Sequence, residues 1–310
     1  MRKYRVGITG ASGIVGKKVR EYFITAGADI SVLTRDSRKV INHERVEIFE
    51  VDLYTPDITK IKSFVKNLDC LFHLASELKD ESKMMITNYH GTKLLADLIL
   101  GQKTVFVYTS SIGVFDFSKS KIITETSPRR QMNTYEETKY LSEEYLFKLG
   151  NRLNFVILRP SIIFDFNMRS KIIDNFIKLN YFNIGLEIPK SSILNFVLSS
   201  DVSNTLLKLS QQKSAVGKAF NLSSNASLRN FVIDIEKIIG ERIIYRIPFK
   251  ILLILIKLKN FVTGKRNGNS LKAFFSNISK VSCKKIQNSI NIEITEDCTE
   301  FLKFYIEQKR

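Results

Sequence analysis

Thr9-Gly10-Ala11-Ser12-Gly13-Ile14-Val15-Gly16 stands between a short apolar run, Tyr4–Thr9, and a stretch of helical periodicity, Ile14–Thr25. This octet decides the fold. Gly10 supplies a tight turn, Gly13 lets the backbone approach a diphosphate, and Gly16 lets the helix lie close to a sheet. Ser12 and Ile14 complete the loop, and the free N–H groups of the first helical turn face an anion. The spacing is G-x-x-G-x-x-G rather than the commoner G-x-G-x-x-G, so the surrounding pattern has to support the reading. It does. Further β-rich runs follow at Ile30–Leu33, Val46–Val51, Cys70–Leu74, Thr104–Tyr108 and Phe155–Leu158, with helical stretches at Met84–Leu100 and Thr134–Leu149. Near-continuous apolar runs are what parallel strands covered on both faces require. Their alternation with helices predicts an α/β chain with a Rossmann-like, doubly wound parallel sheet.

The alternation weakens after Pro160. A helix is expected at Lys171–Leu179, a strand at Leu194–Leu198, a helix opened by Asp201 as N-cap, a strand at Ala219–Leu222 and a helix capped by Ser227. Helical segments at Lys250–Val262 and Glu296–Glu307 complete the reading. The chain of 310 residues thus divides into a dinucleotide-binding part, 1–160, and a smaller substrate-binding α/β part, 161–310, with returning elements packed on the first.

The second strand ends Leu33-Thr34 and is followed by Arg35. A guanidinium there suits bidentate contact with a 2′-phosphate, which favours NADP over NAD. Asp36 follows at once and offers the acidic role on the ribose hydroxyls that NAD needs. Asp52 and Leu53, after the third strand, are expected beside the adenine.

Tyr135-Glu136-Glu137-Thr138-Lys139 puts a phenol and an ammonium on one helix face. The fifth strand ends Tyr108-Thr109-Ser110-Ser111, at the sheet edge where doubly wound folds bind ligands. To act as a base near neutrality a tyrosine needs a downward shift of roughly three pKa units, about 4 kcal/mol. Lys139 and an oxidised nicotinamide are expected to supply it. Ser111 is placed to hydrogen-bond the substrate oxygen.

These motifs together resemble the extended short-chain dehydrogenases/reductases of the NAD-dependent epimerase/dehydratase family. The resemblance extends to Phe72-His73-Leu74-Ala75-Ser76, Asn88-Tyr89-His90-Gly91-Thr92, Leu158-Arg159-Pro160, and Phe196-Val197 with Asp201-Val202. It implies Ser111, Tyr135 and Lys139 as the catalytic trio, with Lys139 also on the nicotinamide ribose. It implies that Asn88 supports Lys139 through water, and that Leu74, Ala75 and Ser76 pass along the cofactor. His73 has no acidic partner nearby in sequence and is expected to be a packed residue.

Departures from the family narrow the reaction. Its sugar dehydratases follow the catalytic hydroxyl with Asp-Glu; here Ile112-Gly113 follows Ser111. Its epimerase-reductases carry a cysteine in that loop, and none lies between Cys70 and Cys283. Simple redox at one carbon remains, with reduction of a 4-keto group on a nucleotide-linked sugar first. A 4-epimerase holding NAD, a hydroxysteroid- or flavonol-type reductase, and a cofactor sensor without turnover follow.

Lys plus Arg is 48 and Asp plus Glu is 31, a net charge of +17. From Arg242 to Ile292 there are eleven basic residues and no acidic one. That stretch suggests either a solvated surface or contact with phosphates or an anionic membrane through 242–285. Within it Ile247–Lys259 is expected to form a helix that packs its apolar face on the domain or lies on such a membrane. Nucleic acid is not expected, because no recognition module accompanies the charge. Three scattered cysteines imply free thiols in a reducing cytoplasm and no zinc site. No apolar run is long enough to span a membrane. The expected location is therefore cytoplasmic, with peripheral membrane contact, and a homodimer is the expected assembly.

Overall fold

A computed structural model describes residues 3–240, 245–251, 254 and 277–308. The first half lays down β1 (Arg5–Thr9), α1 (Ile14–Thr25), β2 (Asp29–Thr34), β3 (Val46–Glu50), α2 (Ile58–Phe64) and β4 (Cys70–His73). A broken helix follows: α3 (Glu81–Met84), a π-helical turn (Met85–His90) and α4 (Gly91–Leu98). Then come β5 (Val105–Thr109), the short β6 (Ile122–Ile123), α5 (Thr134–Leu149) and β7 (Asn154–Pro160). The second half adds β8 (Ile162–Phe164), α6 (Lys171–Tyr181), β9 (Ile184–Glu187), β10 (Ile193–Leu198) and α7 (Ser199–Gln211). Beyond it lie β11 (Lys218–Leu222), β12 (Ser224–Ser227), α8 (Leu228–Ile239), β13 (Tyr245–Pro248) and β14 (Lys280–Val281). Helices Lys284–Ser289 and Thr299–Glu307 come last.

The main sheet is parallel throughout, in the order β11-β7-β5-β4-β1-β2-β3. This is the expected Rossmann-like α/β architecture. Alternate residues feed opposite faces. Ile8, Phe72 and Val107 pack with Val19 and Phe23 of α1 and Leu206 of α7. Leu71, Phe106 and Tyr108 pack with Phe64 of α2, Leu95 of α4 and Leu146 of α5. Strand order reverses at β1, which pairs with β2 on one side and β4 on the other, opening a crevice at their carboxyl ends. The two halves interleave, since the sheet takes its last strand from residues 218–222.

A smaller lobe holds the sheet β12-β10-β8 and the pair β13-β9. Its core is aromatic. The Phe164 ring stacks on Phe196, Phe231 and Phe301 at 5.6, 6.0 and 5.2 Å, and such pairs add about 0.5–1.5 kcal/mol each to their area burial.

Several expectations shift. The helix expected to start after Asp201 starts at Ser199, with Leu198 as N-cap. Asp201 instead accepts from Thr295 N at 2.9 Å. The stretch Met84–Leu100 is not one α-helix but is widened by the π turn. The final helix opens at Thr299, whose N–H is taken by Asp297 at 2.8 Å, rather than at Glu296. The segment Lys250–Val262 and most of 242–285 lie outside the described residues. Among the described residues, no helix is long and apolar enough to cross a membrane.

Candidate active site

The loop after β1 is shaped by atoms that leave no room for a side chain. Gly10 has φ +71°, and a Cβ there would lie 2.7 Å from Ala75 N. At Gly16 a Cβ would lie 2.2 Å from the Gly10 carbonyl oxygen, so α1 can reach the loop only as glycine. Gly13 caps α1 without a side-chain bond, and no acidic residue occupies the first turn. The helix start is left open to an anion.

Beneath the loop a buried relay ties three elements together. Thr9 Oγ1 accepts from Leu74 N (3.2 Å) and Ala75 N (3.1 Å), so its own proton goes to His73 Nδ1 at 2.7 Å. His73 therefore carries its hydrogen on Nε2 and donates to Thr92 Oγ1 (2.9 Å), which donates to the Asn88 carbonyl. Burial, then the nearby Lys139, hold the His73 pKa down to about 3. The ring is a neutral strut, as its lack of an acidic partner suggested.

Asn88 is buried, but its side chain does not meet Lys139. Its Nδ2 donates to Glu77 O (3.0 Å) and Thr138 Oγ1 (3.2 Å), and its Oδ1 accepts from Glu77 N at 2.6 Å. It fixes the loop after β4 to α5.

A cavity of about 1160 Å³ runs along the carboxyl edge of the sheet. Gly10, Ser12, Gly13, Ile14, Gly16, Arg35, Asp52, Leu53, Leu74, Ala75 and Ser76 line one end. Ser111, Tyr135 and Lys139 line it further along; Asn88 does not. At the first end Arg35 Nη1 donates to Glu77 Oε2 at 3.0 Å, while its side chain stays 60% exposed. Glu77 also accepts from the N–H groups of Leu78, Lys79 and Asp80. Asp36 is engaged by Arg38 (2.9 Å) and Lys39 (3.4 Å), and the Arg38 hydrogen bonds hold its pKa at about 2. Glu77 was not anticipated, because nothing local in sequence marks a partner forty-two residues from Arg35; Lys39, only four residues on, was missed although it is close in sequence.

At the centre, Lys139 is buried between two rings, its Nζ 4.9 Å from the Tyr108 centroid and 5.7 Å from the Tyr135 centroid. It donates to Thr109 O at 2.8 Å. Burial lowers its pKa to about 7, and burial raises that of Tyr135 to about 12. The downward shift expected of Tyr135 rests on Lys139 with an oxidised nicotinamide; in the protein alone, burial and then the nearby Glu136 push the phenol the other way. Ser111 Oγ accepts from Gly113 N at 3.1 Å, which leaves its hydroxyl hydrogen for another acceptor.

The far end is walled by Phe117, Met132, Ile162, Met168, Ile193 and Ile278. Buried polar atoms break that wall. Ser161 Oγ and Asn195 Oδ1, both on the cavity, have no hydrogen-bond partner among the described residues, and nearer the sheet neither do Ser76, Thr109 or Ser110 Oγ/Oγ1. Buried polar atoms seldom stay unpaired. A ligand with several polar groups fits this cavity, and the glycine cradle with Ser76 fits a dinucleotide. Among the described residues, no His/Cys/Asp/Glu cluster offers a metal site, and all three cysteines are buried free thiols.

A parallel sheet with a glycine cradle at its switch point, opening on a serine, a tyrosine and a lysine, defines a dinucleotide-binding oxidoreductase. The chain belongs to the NAD dependent epimerase/dehydratase family, whose model matches residues 6–223. It is accordingly an NAD(P)-dependent enzyme of that family. A dTDP-D-glucose 4,6-dehydratase of Mus musculus is 23% identical over 243 residues, 71% of this chain and 68% of that protein. A sterol-4-alpha-carboxylate 3-dehydrogenase (decarboxylating) of Dictyostelium discoideum is 25% identical over 201 residues, 58% of this chain and 60% of that protein. The structure of a UDP-glucuronic acid 4-epimerase from Bacillus cereus in complex with NAD superposes with a TM-score of 0.76, at 16% identity, over 98% of this chain and 99% of that one.

Proposed function

We propose that the protein is an NADPH-preferring reductase of a 4-keto group on a nucleotide-linked sugar. The observation that carries this reading is the convergence of Ser111, Tyr135 and Lys139 on one cavity whose substrate end holds unpaired polar atoms. The sugar nucleotides named for two of the relatives support the substrate class.

When bound, the reduced nicotinamide supplies the hydride. The glycine loop and Ser76 hold the cofactor, with Arg35 on its 2′-phosphate. Lys39, also on the cavity, adds charge there. Asp36, saturated by Arg38 and Lys39, is a poor acceptor for ribose hydroxyls, which also favours NADPH. Ser111 Oγ donates to the carbonyl oxygen and polarises it. Tyr135 Oη, kept protonated by burial, gives its proton to that oxygen as the alcohol forms. Lys139 holds the ribose and stabilises the phenolate that the proton leaves behind. Ser161 and Asn195 meet sugar hydroxyls.

A hydroxysteroid- or flavonol-type ketone is the second reading, favoured by the apolar wall and by the sterol enzyme among the relatives. A panel assay separates them. NADPH consumption with 4-keto nucleotide sugars and none with steroid or flavonol ketones is the expected result. Turnover confined to the apolar ketones overturns the sugar reading.

A further inference from the structure

The turn between α6 and β9 presents three aromatic rings to solvent. Phe182 is 74% exposed, Tyr245 68% and Tyr181 60%. They are held together. Asn183 adopts φ +58°, its N–H bonds to Asn180 O at 2.8 Å, and its carbonyl takes the N–H of Tyr245 at 3.2 Å. The register of β9 with β13 fixes Tyr245 opposite Ile184. Lys178 lies one helical turn before Tyr181 and Phe182, and Lys171 two turns further back, both on the exposed side of α6. The helix's one acidic residue, Asp174, is bonded to Tyr305 Oη at 2.7 Å.

We propose that this turn rests on an anionic lipid bilayer. Aromatic rings beside lysines match the boundary between headgroups and acyl chains, where the ring is buried and the ammonium meets phosphate. A second copy of the chain is a poor occupant. Both partners would bring the same cations to the contact, in a molecule carrying +17. The surface is separate from the cofactor cavity, so binding to lipid leaves ketone reduction in solution unchanged.

The test is co-sedimentation of the full chain with vesicles of phosphatidylglycerol mixed with phosphatidylcholine, and with phosphatidylcholine alone. The protein is expected to pellet with the anionic vesicles at low salt. It should stay in solution at about 1 M salt, where charges are screened beyond about 3 Å. Tyr181→Ser with Phe182→Ser should weaken partitioning about tenfold or more, the scale of losing one buried aromatic. Lys178→Glu should weaken it about fivefold for each unit of charge changed. Wild-type reductase activity and circular dichroism in both variants establish that they fold. No pelleting with anionic vesicles at low salt overturns the proposal, as does equal pelleting with neutral ones. Pelleting unchanged in both variants overturns the placement on this turn. Self-association in light scattering, abolished by the serine pair and without vesicle binding, assigns the face to a second copy.

Discussion

Tyr135 and Lys139 stand four residues apart on α5, and burial pushes each away from its charged form. The phenol is thereby a proton donor at every ordinary pH. Tyr135→Phe is expected to lower turnover at least about a hundredfold, the lower end for an acid-base group, while cofactor still binds. Near wild-type turnover would remove Tyr135 from the mechanism. Lys139 makes a second prediction, about stability. With a folded pKa of about 7 against its usual 10.5, the folded protein binds fewer protons than the unfolded one between those values. The burial penalty is therefore full below about pH 7 and fades as pH rises toward 10.5. Lys139→Met should raise the Tm of the cofactor-free protein in mildly acidic buffer, and the gain should vanish in strongly alkaline buffer. A pH-independent gain would mean the lysine titrates alike in the folded and unfolded chains. Arg35 acts at the other end of the cavity. Arg35→Ala should weaken NADPH binding by about 1.5–3 kcal/mol and leave NADH nearly unchanged, the range for charge-assisted hydrogen bonds. Fluorescence titration with both cofactors decides it, because equal losses would make the residue structural.

Elements whose causes are local could be read from the chain. Helices α1 and α5 occupy the expected spans, Ile14–Thr25 and Thr134–Leu149, because each has a distinct start, Gly13 before α1 and Asn133, whose side chain accepts from Glu136 N, before α5. Strands β1, β2, β4 and β5 were visible as apolar runs between glycine or polar breaks. Strand β12, Ser224–Ser227, was not, since its polar residues are extended only through pairing with β10. The π turn at Met85–His90 was equally hidden: Asn88 is drawn to Glu77 and Thr138, neither of them near in sequence. The same division runs through the site. The glycine-loop end of the cavity comes from contiguous motifs, whereas Ser161, Asn195 and Asn277 are brought to its other end by the fold. The α1 start carries its own prediction. Gly16→Ala places a methyl 2.2 Å from the Gly10 carbonyl, so α1 or the loop must move. Such overpacking costs about 1–3 kcal/mol, and cofactor affinity should fall with stability. Unchanged affinity for both cofactors would show that the loop tolerates the shift.

At the scale of the molecule, one buried carboxylate joins α5 to two segments that line the cavity. Glu143 of α5 accepts from Arg159 Nε at 2.8 Å and from Arg159 Nη2 at 2.7 Å, with no exposed surface on its own side chain. Arg129 Nη2 reaches the same carboxylate at 3.1 Å. The Phe115 ring, on the cavity, has both guanidiniums nearby, at 4.4 and 5.1 Å from its centroid. Arg159 is the penultimate residue of β7, just before Pro160 and Ser161, which line the cavity. The carboxylate thus ties α5, which carries Tyr135, to the end of β7 and the segment around Arg129. Glu143→Gln keeps the shape but removes the charge and one acceptor, leaving two guanidiniums in one buried site. Breaking such a pair costs about 3–5 kcal/mol, because the uncompensated charge stays buried. Glu143→Leu combined with Arg159→Leu should recover part of that loss, since it removes one of the two stranded cations; Arg129, with 24% of its side chain exposed, can turn outward. Urea unfolding of the three proteins measures the stability difference. Steady-state kinetics should show a higher KM in the single variant, because Phe115 and Ser161 lose their common anchor. A single variant within about 1 kcal/mol of wild type would show that the carboxylate does not hold this joint.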